Sequence, residues 1–342
     1  MHQKLASSLT GLSAGALFIL ATLPAAAQQA AIDTAQSTTT TQQLQKPLLA
    51  PGVVKGQIPL LYEGEAEDTG EQYVLQPKEA IKYFQFLGDL QLYRANNPTL
   101  APANKTATDV SVLTLQVVAH TEETEWFDGF MGQTRAGLRF QDYWYGVFSD
   151  RDHIITGAPI KYSDFTTISP YVEMSLRSDD WYGSLGLRYS SYDNNNALTS
   201  GTFYQEYVPY GTVGYQWNLA DKKTLQFQYD GDFRKTNTHT AGLLPTGWND
   251  RADNALSLIY SVILGEHWVI QPSYRFMWSR YTNDQRSRSD VYNTFSMLAA
   301  YYFNEMWSAR VFTSYEWRSS SEIGNNYQSW NFGVGLSVNA AF

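Results

Sequence analysis

Few places in this sequence of 342 residues put chemically competent side chains close together. Asp150, Asp152 and His153 form one group, and Asp179 and Asp180 another. Carboxylates beside a histidine would suit general acid–base hydrolysis. A histidine followed two residues later by a hydroxyl, with an asparagine further on, would suit acyl transfer. The run from Asn237 through His239 to Asn249 has that outline, but Ala241 stands where the nucleophile belongs. His120 and His267 are isolated, cysteine is absent, and no His/Asp/Glu spacing suits a metal ion. From its sequence the chain is expected to be no enzyme and to carry no catalytic residues, no metal and no cofactor.

A second pattern of polar chemistry is spread out rather than clustered. Within segments of alternating character, Arg177, Arg188, Arg234, Arg275 and Arg310 fall on the polar face, as do Asp89, Glu173, Asp230, Asp232 and Glu316. Tyr93, Tyr171, Tyr192 and Tyr302 share it. On an enclosed face such charges must be wet or paired. Opposed Arg and Asp/Glu across a pore set a transverse field that orients and screens passing solutes, so these ten charged residues are the expected selectivity lining. The competing expectation is a wall of satisfied ion pairs that fills a narrow barrel.

The elements that must carry these residues are strands. Gln328 to Phe342 shows the pattern most cleanly: Trp330, Phe332, Val334, Leu336 and Val338 share one face, and Asn331, Gly333, Gly335, Ser337 and Asn339 the other. Twelve such segments are expected, at about 81–94, 109–121, 133–148, 166–177, 181–193, 204–218, 224–235, 253–264, 267–280, 291–303, 307–318 and 328–342. An even count is what a single-chain bacterial barrel requires. About eight strands leave a filled interior and about sixteen an aqueous channel, so twelve decides neither.

The connections separate a barrel from a soluble sandwich. Short ones at 178–180, 219–223, 265–266 and 304–306 alternate with long polar ones at 95–108, 149–165, 194–203, 236–252, 281–290 and 319–327. Short turns on one side and long loops on the other are the topology of an outer-membrane barrel with both chain ends in the periplasm. The connection at 122–132 is longer than its side predicts. This topology also puts Asp179 and Asp180 on the opposite side of the membrane from His153, so they could not meet. Trp181, Trp217, Trp268 and Trp307 lie near short turns, whereas Trp144, Trp278, Trp317 and Trp330 lie toward the long loops. Two girdles at two membrane interfaces are expected from that placement. Pro170, Pro209 and Pro272 fall inside expected strands, where a missing N–H predicts a bulge or strand end.

The first 27 residues read as a secretory signal peptide, with Lys4, an apolar run from Leu12 to Leu23, and Ala25 to Ala27. Residues 28–79 are rich in Ser, Thr and Gln and then acidic, at Glu63, Glu65, Glu67, Asp68 and Glu71. They are expected to form a periplasmic leader; the alternative is a plug in the lumen or a contact with a periplasmic partner. Residues 80–342 would be the barrel. The chain is 15% aromatic and 17% charged, with a mean hydropathy of -0.36, ordinary values for a barrel that is apolar only on alternate residues. The net charge of -9 argues against a nucleic-acid partner.

The C-terminal Phe342 resembles the terminal aromatic of bacterial outer-membrane barrels that their assembly machinery reads, although Ala340 stands where those proteins usually carry another aromatic. In strand pattern, girdles and polar lumen the chain resembles Gram-negative barrels of the small monomeric porin type, such as twelve-stranded acidic-oligosaccharide channels. That resemblance implies an all-β antiparallel transmembrane barrel in the bacterial outer membrane, held by lipid, that passes small hydrophilic solutes. Those channels line the pore with a mainly basic track, whereas this lumen mixes both signs. The alternative is a barrel without a channel, acting as an anchor or export component for a periplasmic partner or polymer.

Overall fold

The structure, a computed structural model, describes residues 82–98, 100, 107–148, 154–155, 158–159, 164–196, 199–238, 247–283, 287–322 and 324–342. The expected signal sequence at 1–27 and the expected leader at 28–79 lie outside these residues. The strands are β1 (Phe84–Ala95), β2 (Thr108–His120), β3 (Thr124–Phe127), β4 (Phe130–Tyr145), β5 (Ile154–Ile155), β6 (Ala158–Pro159), β7 (Phe165–Arg177), β8 (Trp181–Asn196), β9 (Thr199–Ala220), β10 (Lys223–Thr238), β11 (Arg251–Leu264), β12 (Trp268–Tyr281), β13 (Ser289–Tyr302), β14 (Trp307–Ser320) and β15 (Tyr327–Ala341). Leaving out β3 and the small β5–β6 hairpin, twelve strands pair antiparallel in chain order, and β1 pairs with β15 to close the ring. Closure removes the sheet edges that a bilayer cannot satisfy.

At the seam the Phe84 and Phe342 backbones exchange two hydrogen bonds of 2.9 Å. Their rings lie stacked with centroids 6.3 Å apart. Alternation is kept around the wall. Leu185, Leu187, Val172, Met174, Phe227, Leu256, Leu258, Val334 and Leu336 are exposed on the outside, and the polar residues between them face inward. The buried interior is therefore the lumen, and the exposed apolar belt is a lipid-facing surface. The protein has the architecture of a bacterial outer-membrane barrel.

Three expectations are corrected. Pro170, Pro209 and Pro272 produce neither bulges nor strand ends. Each lies opposite a partner on one flank, at Leu138, Leu187 and Met297. On the other flank the ladder skips two pairs and resumes in the same register. The sheet loses a local rung because proline has no donor, and the neighbouring rungs hold the register. Second, 194–203 is not a long loop: β8 runs to Asn196 and pairs with β9 from Thr199, with a register shift at Tyr192/Asp193. Its Asn-rich composition reads as a turn, yet the backbone can extend the hairpin as long as its partner continues. Third, 122–132 folds back as β3 on the start of β4, turning at Gly129 with φ of 73°.

The β9–β10 turn places Lys222 in the left-handed region, with φ of 62°, beside a register shift at Lys223/Thr224. This is the turn-plus-bulge geometry that glycine favours. Lys222→Gly is expected to stabilise the barrel by about 0.5–1 kcal/mol, because a left-handed L-residue is strained. The midpoint of urea unfolding in lipid vesicles measures it.

Candidate functional site in the barrel lumen

All ten charged residues expected on the lumen face lie on the inward side of their strands, and most are paired. Arg310 grips Asp89 through two bonds of 2.6 and 2.9 Å, across the seam from β14 to β1, and Ser337 donates to the same carboxylate at 2.6 Å. Arg275 reaches Asp230 at 2.5 Å and Ser257 at 3.0 Å. Arg177 lies at the periplasmic rim, where it pairs with Glu123. Glu316 accepts from Thr294 at 3.2 Å and from Tyr327. Glu173 lies 3.9 Å from Arg135 and accepts the Tyr210 hydroxyl at 3.1 Å.

Arg234 is the centre of a larger network that also holds residues outside the expected set. Its guanidinium reaches Asp232 at 2.9 Å, Asp253 at 2.8 Å and Glu206 at 3.2 Å. Arg251 closes on the same Asp253 at 2.9 Å. Glu206, Arg251 and Asp253 are buried. A planar five-donor fork suits such a three-carboxylate site, where a lysine would not. Inward alternation would have found all three, at 206 on β9 and at 251 and 253 on β11. Glu206 and Asp253 lie within the expected strands 204–218 and 253–264, and only Arg251 falls outside them, because β11 starts two residues earlier than expected.

Aromatic side chains pack the extracellular half of the lumen. The Tyr143 and Phe165 rings stack at 4.3 Å, and Tyr192 lies 6.3 Å from Phe165 and 5.1 Å from Tyr204. Tyr143, Phe165 and Tyr204 have no solvent exposure. Arginines cap neighbouring rings: Arg318 lies 4.4 Å from the Tyr327 centroid and Arg288 4.5 Å from that of Tyr281. Arg288 also pairs with Asp290 at 2.5 Å. The Tyr192 and Tyr204 hydroxyls both donate to Glu206, at 3.2 and 3.3 Å, whereas the Tyr143 hydroxyl is buried without a hydrogen-bond partner among the described residues.

The periplasmic half is more open. A cavity of about 520 Å³ is bounded by side chains of β1, β2, β4, β7, β8, β9, β10 and β12, including Gln116, Arg139, Tyr171, Arg188, Tyr210 and Asp230. Three tyrosine–glycine cross-strand pairs lie in this part of the wall, and the tyrosines of two of them, Tyr171 and Tyr210, line the cavity. Tyr171 lies over Gly137, Tyr210 over Gly186 and Tyr182 over Gly214. A Cβ at these glycines would stand 2.5, 2.4 and 2.1 Å from the facing ring. Each tyrosine therefore lies flat along the wall in the gap its glycine leaves, which keeps it out of the lumen.

The seven girdle tryptophans, Trp181, Trp217, Trp268, Trp307, Trp278, Trp317 and Trp330, lie on the outward side of their strands. At the periplasmic end Trp181, Tyr215 and Trp217 form an edge-on chain with spacings of 4.9 and 4.8 Å. At the other end Tyr315 contacts Trp317 and Trp330 at 5.4 and 5.6 Å. Among the described residues no three His, Cys, Asp or Glu side chains are placed to hold a metal ion. His153, His239, Ala241, Asp150 and Asp152 lie outside them. Asp180 sits in the β7–β8 turn and accepts the Tyr215 hydroxyl at 3.2 Å.

No family model matches the chain, and no curated protein matches it. Solved structures do. An outer-membrane channel from Pseudomonas putida F1 superposes with a TM-score of 0.51 and 11% identity, over 77% of this chain and 96% of that one. The β domain of the Bordetella autotransporter BrkA gives 0.43 and 12%, over 75% and 99%. The KdgM porin in complex with oligogalacturonate gives 0.35 and 12%, over 74% and 98%. At these identities the likeness is one of fold.

Proposed function

We propose that this twelve-stranded outer-membrane barrel is a channel for passive diffusion of small hydrophilic solutes, and that its mixed-charge lumen sets their selectivity. The observation that carries this reading is the polar cavity of about 520 Å³ inside the wall, held open by tyrosines folded onto glycines. The inward charges Arg177, Arg188, Arg234, Arg275, Arg310, Asp89, Glu173, Asp230, Asp232 and Glu316 are its electrostatic lining. Steady single-channel conductance of the refolded mature chain in a planar bilayer is the expected result, both with and without residues 28–71. Arg188→Ala is expected to shift permeability toward cations by roughly fivefold, the effect of about 1 kcal/mol from a unit charge at ~4 Å in water. Unchanged reversal potentials would show that Arg188 does not face the conducting path.

A second reading, a barrel that anchors or exports a polymer through a periplasmic partner bound by residues 28–79, is favoured by the packed extracellular half. It predicts silent bilayers and a complex lost when residues 28–71 are deleted. The tryptophan girdles and Phe342 act in either reading, the first by seating the barrel at the two interfaces and the second as the signal for the assembly machinery. Phe342→Ala is expected to lower the yield of assembled barrel in cells, which quantification of folded and unfolded bands would measure.

A further inference from the structure

Two arginines of the lumen stand apart from its ion pairs. Arg139 on β4 donates through Nε to Gln116 at 3.2 Å. Arg188 on β8 lies 5.9 Å from the Tyr210 ring centroid. Among the described residues neither has a carboxylate within ion-pair distance, whereas Arg135 and Arg275, which line the same cavity, face Glu173 and Asp230. The Arg234 network beside them holds three carboxylates and two guanidiniums, so it offsets Arg188 only from a distance.

The surroundings suit a ligand rather than a missing protein partner. Both guanidiniums line one polar cavity. Each presents a fork of five donors, of which one on Arg139 is spent. Tyr171 accepts from Gln116 at 2.7 Å, which leaves its own hydroxyl proton to donate. Tyr171, on the strand between those of the two arginines, and Tyr210 lie against the wall over Gly137 and Gly186, beside the cavity of about 520 Å³ that both arginines line. Cations in so enclosed a place need a counter-charge.

We propose that Arg139, Arg188 and the Tyr171 hydroxyl form a binding site for a small oxyanion, a carboxylate or phosphate group, within the lumen. The proposal rests on the channel reading for the ligand's route and names the solute class that route would favour. Bidentate arginine recognition of planar or tetrahedral oxyanions supplies the chemistry.

The test is a titration of inorganic phosphate into the full mature chain in micelles, followed by phosphorus NMR line broadening, with acetate as competitor. Saturable broadening that acetate reverses is expected. Arg139→Gln and Arg188→Gln are each expected to weaken it about tenfold or more, the usual loss for a charge-assisted hydrogen-bond pair. Arg280→Gln, on the outer face, should leave it unchanged. Heat-modifiable gel migration reports whether each barrel is folded, and Arg139→Lys and Arg188→Lys, which keep the charge without the fork, replace any glutamine variant that is not; they should weaken binding by less. Absence of saturable broadening, broadening that acetate does not reverse, or equal broadening in folded Arg139 and Arg188 variants would overturn the site. Phosphate binding by a barrel silent in bilayers would uphold the site and end the channel reading. Conduction without binding would do the reverse.

Discussion

Replacing Arg234 with methionine is expected to destabilise the barrel by about 3–5 kcal/mol, the range for removing one partner from a buried ion network. The side chain holds Glu206, Asp232 and Asp253 together at 3.2, 2.9 and 2.8 Å. Without it three carboxylates share Arg251, which already bonds Asp253. Glu206 is 1% exposed, so water can replace little of the lost interaction. Reversible urea unfolding in lipid vesicles would show the midpoint falling with its slope unchanged. Arg234→Lys keeps the charge but cannot reach three acids at once, and should recover only part of the loss. By contrast Lys235→Ala, at an ion pair whose lysine side chain is 67% exposed, should cost at most about 1 kcal/mol. If both variants cost the same small amount, the network is hydrated and the lumen wall is softer than its packing indicates.

Gly186→Val is expected to have the largest effect on the cavity. A Cβ there would stand 2.4 Å from the Tyr210 ring, and a branched side chain requires more room still. The ring must swing into the lumen, breaking the 3.1 Å bond to Glu173 and leaving Arg188 without its aromatic face. Overpacking of this kind costs about 1–3 kcal/mol, and on the channel reading single-channel conductance falls because the displaced ring occupies the path. Tyr210→Ala in the same chain removes the clash. The double variant should therefore conduct at least as well as Tyr210→Ala alone, with a coupling energy of about 1–3 kcal/mol in unfolding. Additive losses would mean that ring and glycine do not compete for the same space.

Much of the wall was legible residue by residue. The alternation of Leu225, Phe227 and Tyr229 with Gln226, Gln228 and Asp230 assigns each to a face, and the twelve segments recur as twelve barrel strands. Errors arose where composition stood in for geometry. The asparagines at 194–196 read as a loop, and the three prolines read as breaks, because local propensity does not register how firmly neighbouring strands hold a ladder. The cross-strand fit of Tyr210 into the space above Gly186 also escaped notice, since nothing in either segment alone marks the two as partners.

Side-chain face follows from the pleat of a single strand, so the amino-acid order alone determined which charges point inward and which apolar groups meet lipid. Which charges meet one another is a property of the closed ring. Asp89 and Arg310 are separated by 221 residues, and only the β1–β15 seam brings them to 2.6 Å. Strand register likewise gathers Glu206, Arg234 and Asp253 from three strands and leaves Arg139 and Arg188 facing a cavity. Pleating is local and repeats every two residues, whereas pairing depends on stagger accumulated around all twelve strands, and that stagger exists only once the sheet has closed.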